Sequence, residues 1–327
     1  HKKGEVWVDR DRVFRRDGER LFPNGSWGLM TPARNFLLYG IFRNRIVMPP
    51  VPGKYRVWYF TSGEDHDALQ SAQPFSAEFL ADVRERIRFY RDDPDLLAWV
   101  HVDEPECQSA RVEKMKQLYD IVREEDPYHP VWISNNSAEG AKTYAECADA
   151  AVPHPYPPAV PGQRGGDFTN LLTVQRAYDA HTGRRKPVGF MHQGFNYGEY
   201  VLGRRMPNYY ELRNQNLLAL AEGATFLMGF ESSTVQTWYP EVTIGLDHLT
   251  RELAHVGRAV AAPPAPHRVT CESKGVVTRL KAAPDGLFLF VSNAAQEPRT
   301  LSLTVEGLDA RALNVVSEGR RVECPGG

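Results

Sequence analysis

The chain has 327 residues, 42% of them hydrophobic and 24% charged, with a formal net charge of -2. That size supports one large domain and a small one, each with its own core, and it excludes a disordered or fibrous chain. Near-neutral charge gives no general attraction to nucleic acid or anionic lipid, and no run approaches the ~18–20 apolar residues of a membrane span, so the expected partners are small or uncharged molecules.

The opening HKKGEVWVDR lacks the apolar core of a signal peptide. From FPNGSWG onward, short apolar runs alternate with amphipathic stretches, as βα units do. Strands are predicted over 22–28, 45–49 and 55–61, followed by a helix over 76–91 with Ser76 as N-cap and Glu78 in its first turn. Next come a strand over 97–103 and a helix over 109–125, with Ser109 as N-cap and Arg111 on the first turn. Strands over 131–135 and 149–153, a helix over 170–182, a strand over 187–193, a helix over 209–223, a strand over 225–231 and a helix over 246–260 complete the pattern. Eight such runs, most followed by a helical stretch, predict a (β/α)8 TIM barrel over residues 1–262.

One junction does not fit. Only PPVPGK separates Met48 from Tyr55, whereas a parallel crossover needs ~10–12 residues including its helix. Either the barrel is irregular near its second and third strands or a segment is missing there, and the second reading is favoured. After the proline-rich VAAPPAPHR the texture changes: GVVTRLKAAPDGLFLFVSN is two alternating runs about a Pro-Asp-Gly turn, continued by TLSLTVEG and ALNVVSEG. A small antiparallel β-sandwich domain is therefore expected over 263–327, packed on the barrel. Cys271 and Cys324 lie near its two ends and read either as a staple or as two free thiols; with Cys107 and Cys147 they form no CxxC and no metal-ligand spacing.

Active sites of such barrels lie at the C-terminal ends of the strands. Those ends supply Trp27, Asp103 and Glu104, Asn135 and Asn136, His154 and Tyr156, His192 and Gln193, Glu231, and Trp238 in the loop beyond. The run LLAWVHVDEPE places two carboxylates where a buried strand stops.

The stretches FRRDGERLFPNGSWG, DDPDLLAWVHVDEPE and ELRNQNLLALAEGATFLMGF resemble those of the (β/α)8 glycoside hydrolases of clan A and their bacterial relatives with a DEP motif and a β-sandwich tail. The resemblance spans nearly the whole barrel and continues into the tail. It implies that Glu104 is the general acid/base and that Asp103 replaces the Asn that contacts the sugar 2-hydroxyl. A carboxylate beside Glu104 raises its pKa, which suits a group that must hold a proton for the leaving oxygen. The bland alternative is a carboxylate pair at a helix N-terminus. The family's nucleophile, a Glu ending the seventh strand, has no counterpart in KPVGFMHQGFNYGEY, where His192 and Gln193 stand. Glu231 is the replacement candidate, Glu199 the reserve, and Asp103 acting as base on a water a further option.

Asn135, His154, Tyr156, His192 and Gln193 are candidates for sugar contact. Among Trp27, Trp58, Trp99, Tyr156, Tyr197 and Trp238, any could stack on a sugar face; Trp99 lies mid-strand and reads as packing, while Trp27 and Trp238 read as binding. His101, His154 and His192 come from three strands and raise a metal alternative, although no HxH or HxxxH pair occurs. The function expected is hydrolysis of a glycosidic bond in an oligo- or polysaccharide without a cofactor, by a protein of the extracellular space or periplasm. The alternatives are a non-catalytic carbohydrate-binding barrel and, third, a metal-dependent hydrolase.

Overall fold

The computed structural model describes residues 2–26, 38–42, 53–61, 65–156, 168–196, 205–231, 240–295, 297–316 and 318–324. It opens with an antiparallel meander of β1 (Val6–Val8), β2 (Phe14–Arg16) and β3 (Glu19–Leu21). Three-residue strands rich in arginine have no readable period, so the sequence pattern gave no sign of them.

Eight further strands follow: β4 (Asn24–Ser26), β5 (Leu38–Phe42), β6 (Tyr55–Tyr59), β7 (Leu96–Val100), β8 (Val131–Asn135), β9 (Ala150–Pro153), β10 (Gly189–Gly194) and β11 (Phe226–Glu231). All their pairings are parallel, in a five-stranded sheet ordered β5-β6-β7-β8-β9 and a three-stranded sheet ordered β10-β11-β4. An isolated parallel bridge between Ala151 and Val188 joins the two sheets. At the opposite seam β4 lies beside β5, without a ladder between them among the described residues.

The strand expected over 45–49 lies outside the described residues; the described strand that pairs with β6 is Leu38–Phe42, in the apolar run FLLYGIF. In sequence, 12 residues (43–54) separate β5 from β6, which meets the ~10–12 that a parallel connection needs. The steric reason for a missing segment disappears.

Helices alternate with the later strands: α1 (His66–Gln70) and α2 (Ala77–Tyr90) after β6, α3 (Val112–Glu125) after β7, α4 (Ala138–Thr143) after β8, α5 (Thr169–His181) after β9, α6 (Tyr209–Glu222) after β10 and α7 (Pro240–Ala261) after β11. Ser76 caps α2 as predicted, its hydroxyl accepting from Phe79 N. Ser109 caps nothing: α3 starts three residues later, behind Arg111, and Ser109 sits at a left-handed φ of 51°. A turn built on DEPE takes up the residues that a helical reading would assign to α3, with Cys107 N and Gln108 N both donating to Glu104 O.

Strand alternation sorts the core. Val57, Val100, Trp132, Ala150, Val152, Met191, Phe226 and Met228 form an interior cluster to which Phe14 of the meander is added, its ring 5.5 Å from Trp132 and 5.2 Å from Phe226. The other faces of the strands pack on helices in two further clusters, one under α2 to α5 and one under α5 to α7. Trp58 and Trp99 belong to the former, Trp58 stacked on Tyr90 and Trp99 donating to Asp126; both are packing residues, which corrects the sugar-stacking option for Trp58.

The C-terminal segment contains β12 (Val269–Cys271), β13 (Val276–Ala283), β14 (Gly286–Asn293), β15 (Leu303–Val305), β16 (Ala312–Val315) and β17 (Arg320–Glu323). They pair antiparallel as β12-β15, β13-β14 and β16-β17, and the expected hairpin turns at Pro284-Asp285. Cys271 and Cys324 are free thiols. Among the described residues no helix is long and apolar enough to cross a membrane.

Candidate active site

β7 ends at Val100, and the chain then runs through His101 and Val102 to Asp103 and Glu104. Glu104 has a left-handed backbone, φ 46°, a conformation that a non-glycine residue adopts at a cost of about 1–2 kcal/mol. Two turn hydrogen bonds to its carbonyl hold it there, and its own N–H points at Ser134 Oγ, 3.4 Å away on β8. The Ser134 hydroxyl in turn donates to Asp103 Oδ1. One buried serine therefore fixes both the backbone and the side chain of the carboxylate pair.

Both carboxylates reach solvent, with Asp103 37% and Glu104 30% exposed, while His154 beneath them is 3% exposed. His154 Nδ1 lies 3.5 Å from Glu104 Oε1, and Nε2 lies 3.9 Å from Asp103 Oδ1. Neither ring nitrogen has a hydrogen-bond partner among the described residues. Asn136 Nδ2 donates to Glu104 Oε1 at 3.3 Å and to Cys107 Sγ at 3.0 Å. Burial pushes the Glu104 carboxyl above its ordinary range; His154 opposes this, Asp103 reinforces it, the Asn136 hydrogen bond opposes it and Glu106 reinforces it more weakly.

Glu106 and Ser134 are residues that sequence reasoning missed. Glu106 accepts from Asn135 Nδ2 at 2.9 Å and from Asn136 N at 2.8 Å, so it ties the loop after β7 to the loop after β8. Gly140 makes room for it, since a Cβ there would lie 2.3 Å from the Glu106 carboxyl. A carboxylate two residues past the DE pair was the available signal; Ser134 carried none, because a serine inside an apolar strand reads as filler.

The predicted contact residues divide by strand alternation. His154 and Gln193 continue the inner series of Ala150–Val152 and of Met191. Asn135 is engaged with Glu106, and His192 lies on the α6 side, Nδ1 3.3 Å from Asn216 Oδ1. Gln193 Nε2 donates to Phe195 O at 3.0 Å, and Gln193 Oε1 has no hydrogen-bond partner among the described residues. Tyr156, whose hydroxyl donates to Met191 Sδ, stands 5.1 Å from the His154 ring and edge-on to Phe195 at 5.0 Å; Phe195 meets Phe230 at 5.4 Å. The three rings form an aromatic cluster that reaches the site through the contact of Tyr156 with His154. On β11 the inner register is Phe226, Met228 and Phe230, and Glu231 pairs with Gly194. Trp27, Tyr197, Glu199 and Trp238 lie outside the described residues.

The three histidines do not gather into a metal centre. His101 is fully buried on the helix side, accepting from Val102 N at 2.9 Å and facing Met115 O at 3.1 Å, and no group of three ligand-type side chains is found among the described residues.

No family model and no curated protein sequence matches the chain. Among solved structures it is similar to a mutant of a glycoside hydrolase family 5 mannosidase from Rhizomucor miehei, with 12% identity and a TM-score of 0.48 over 70% of this chain and 86% of that one. A β-1,4-D-mannanase from Cryptopygus antarcticus gives 10% identity and a TM-score of 0.46 over 75% of this chain and 94% of that one. A GH2 β-galacturonidase from Eisenbergiella tayi gives 13% identity and a TM-score of 0.48 over 76% of this chain, which spans only 54% of that protein's length.

Proposed function

We propose that the chain is a glycoside hydrolase whose eight parallel strands close as a (β/α)8 barrel over 1–262, with the 263–327 unit as a second domain, and that Glu104 is its general acid/base. The observation that carries this reading is the state of Glu104: a half-buried carboxyl at a strand's C-terminal end, biased towards its protonated form by burial and by Asp103, and still open to solvent. A group of that kind can protonate a leaving glycosidic oxygen near neutral pH. Of the three rings, the partly exposed Tyr156 and Phe230 are the ones available to a sugar C–H face, with Phe195 packed edge-on between them. Asp103, Glu231, His154, Gln193, Trp27 and Trp238 are assigned to the same site, with Asn135 holding Glu106 and His192 packed towards α6 behind it; the substrate is an oligo- or polysaccharide, and the protein acts outside the cytoplasm. Hydrolysis of a panel of aryl glycosides and polysaccharides tests the reading: Glu104→Gln should lower kcat at least ~10²-fold with the fold intact, and a variant of near-full rate overturns it.

A second reading is favoured by Gln193. An uncharged amide on the inner face of β10 leaves the family-type nucleophile unfilled, as in a barrel that binds carbohydrate without cleaving it. Glycan binding by calorimetry with no turnover of any panel member by the wild type selects that reading.

A further inference from the structure

Cleavage of a glycosidic bond needs more than an acid. Retention calls for a second carboxyl about 5–5.5 Å from the first, acting on the opposite face of the sugar, and inversion for one about 6.5–9.5 Å away that activates a water. Among the described residues, the inner-face positions at the ends of β8, β9, β10 and β11 are Ser134, His154, Gln193 and Phe230, and none of these four is a carboxylate. The carboxylate firmly placed beside Glu104 is Asp103, its immediate neighbour in the same turn. A group on the acid's own side of the sugar is badly placed to attack the anomeric carbon from behind. It is well placed to accept a hydrogen bond from the substrate.

We propose that the substrate is a 2-acetamido sugar whose own amide carbonyl oxygen is the nucleophile, with Asp103 holding the amide N–H and Glu104 protonating the leaving oxygen. The inference rests on the reading of Glu104 as the acid. Two buried groups without a hydrogen-bond partner among the described residues also point to a polar ligand here: the ring nitrogens of His154, 3.5 and 3.9 Å from the pair, and Gln193 Oε1 near the end of β10. Burying such atoms without partners is unfavourable, and the hydrogen-bonding groups of a ligand would relieve it.

The steps balance. The Glu104 proton passes to the glycosidic oxygen as the C1–O bond breaks, and the acetamido oxygen closes on C1 to give a five-membered oxazolinium ring. The Asp103 carboxylate lies against the ring N–H and offsets the positive charge; Ser134 keeps its other face oriented by donating to Oδ1. The Glu104 carboxylate then takes a proton from water as that water attacks C1, and the ring C–O electron pair returns to the amide. One water is consumed, and configuration is retained.

The test compares aryl glycosides of both anomers, with and without a 2-acetamido group, on wild type, Asp103→Asn and Glu104→Gln, together with calorimetric binding of the thiazoline analogue of N-acetylglucosamine. The expected result is turnover confined to acetamido sugars, a rate falling more than tenfold when the acetyl group is trifluorinated, and a kcat lowered ~10²-fold or more by Asp103→Asn with little change in KM. Equal kcat/KM on sugars lacking the acetamido group overturns the inference while leaving Glu104 as the acid. No turnover of any glycoside removes the acid assignment; failure to bind the thiazoline then overturns the inference too, and binding lost in Asp103→Asn upholds its ligand class.

Discussion

At the scale of single residues, Glu104 combines a strained backbone with an unfavourable charge. Because its carboxyl is raised from an ordinary value of 4.5, the folded state holds that proton more tightly than the unfolded chain does. The stabilising contribution is complete below about 4.5 and is lost as pH rises through the higher folded value. Glu104→Gln mimics the protonated form, so its Tm should exceed that of the wild type by more at pH 7 than at pH 4; the same difference at both values would refute the assignment. Glu104→Gly relieves the left-handed strain as well, and should be more stable than Glu104→Ala by about 1 kcal/mol in urea denaturation. His101 works in the opposite direction. Burial holds it down to about 4 from an ordinary 6.5, so its contribution is complete above 6.5 and is lost as pH falls through about 4. The loss amounts to about 3 kcal/mol, and His101→Asn should flatten the decline in urea-derived stability between pH 7 and pH 4 by that amount.

At the scale of elements, parallel strands such as β7, β8, β9 and β10 were legible because they are buried on both faces and read as near-continuous apolar runs: VWISN was placed to the residue, and LAWVH and FLMGFE to within a few. LYGIF and RIVMP are both apolar runs of the right length, and only partner strands decide which of them lies beside β6. The carboxylate pair was legible for the same reason that it stands out chemically, as charge at the end of an apolar run. What holds the pair was not: Ser134 and Glu106 act through contacts across strands, which no local pattern records. Glycine marks two of the tight contacts. At Gly189 a Cβ would lie 2.6 Å from the Phe226 ring, itself wedged against Phe14 and Trp132, so Gly189→Ala forces a shift in the interior cluster and should cost about 1–3 kcal/mol or more by urea denaturation. Gly140→Ala meets only the movable Glu106 side chain; it should cost less stability but loosen the bonds to Asn135 and Asn136, which is visible as changed Asn side-chain amide NMR shifts.

At the scale of the whole molecule, the question is whether 263–327 behaves as an independent domain or as part of the core under the parallel strands and their helices. The hairpin β13-β14 contributes Val277 and Phe290 to the cluster beneath α5, α6 and α7. Arg279 of β13 closes the end of α6, donating to Ala221 O at 3.1 Å and to Glu222 O, where Gly223 turns at φ 122°. Asn214 of α6 donates to Asn293 O at 3.1 Å and accepts from Ser292 Oγ at 2.7 Å. These contacts satisfy helix-end carbonyls that would otherwise face water and join two sequence-distant units through one apolar core. These contacts lead us to expect that the second domain unfolds together with the unit before VAAPPAPHR. A chain ending at residue 262 should lose stability, expose the apolar side of α6 to dye binding and aggregate on heating. The full chain should unfold in a single calorimetric transition, with Arg279→Met lowering its Tm and leaving it single. Two resolved transitions, one of them unchanged in the truncated chain, would instead establish 263–327 as a domain that folds apart from the strands that carry the site.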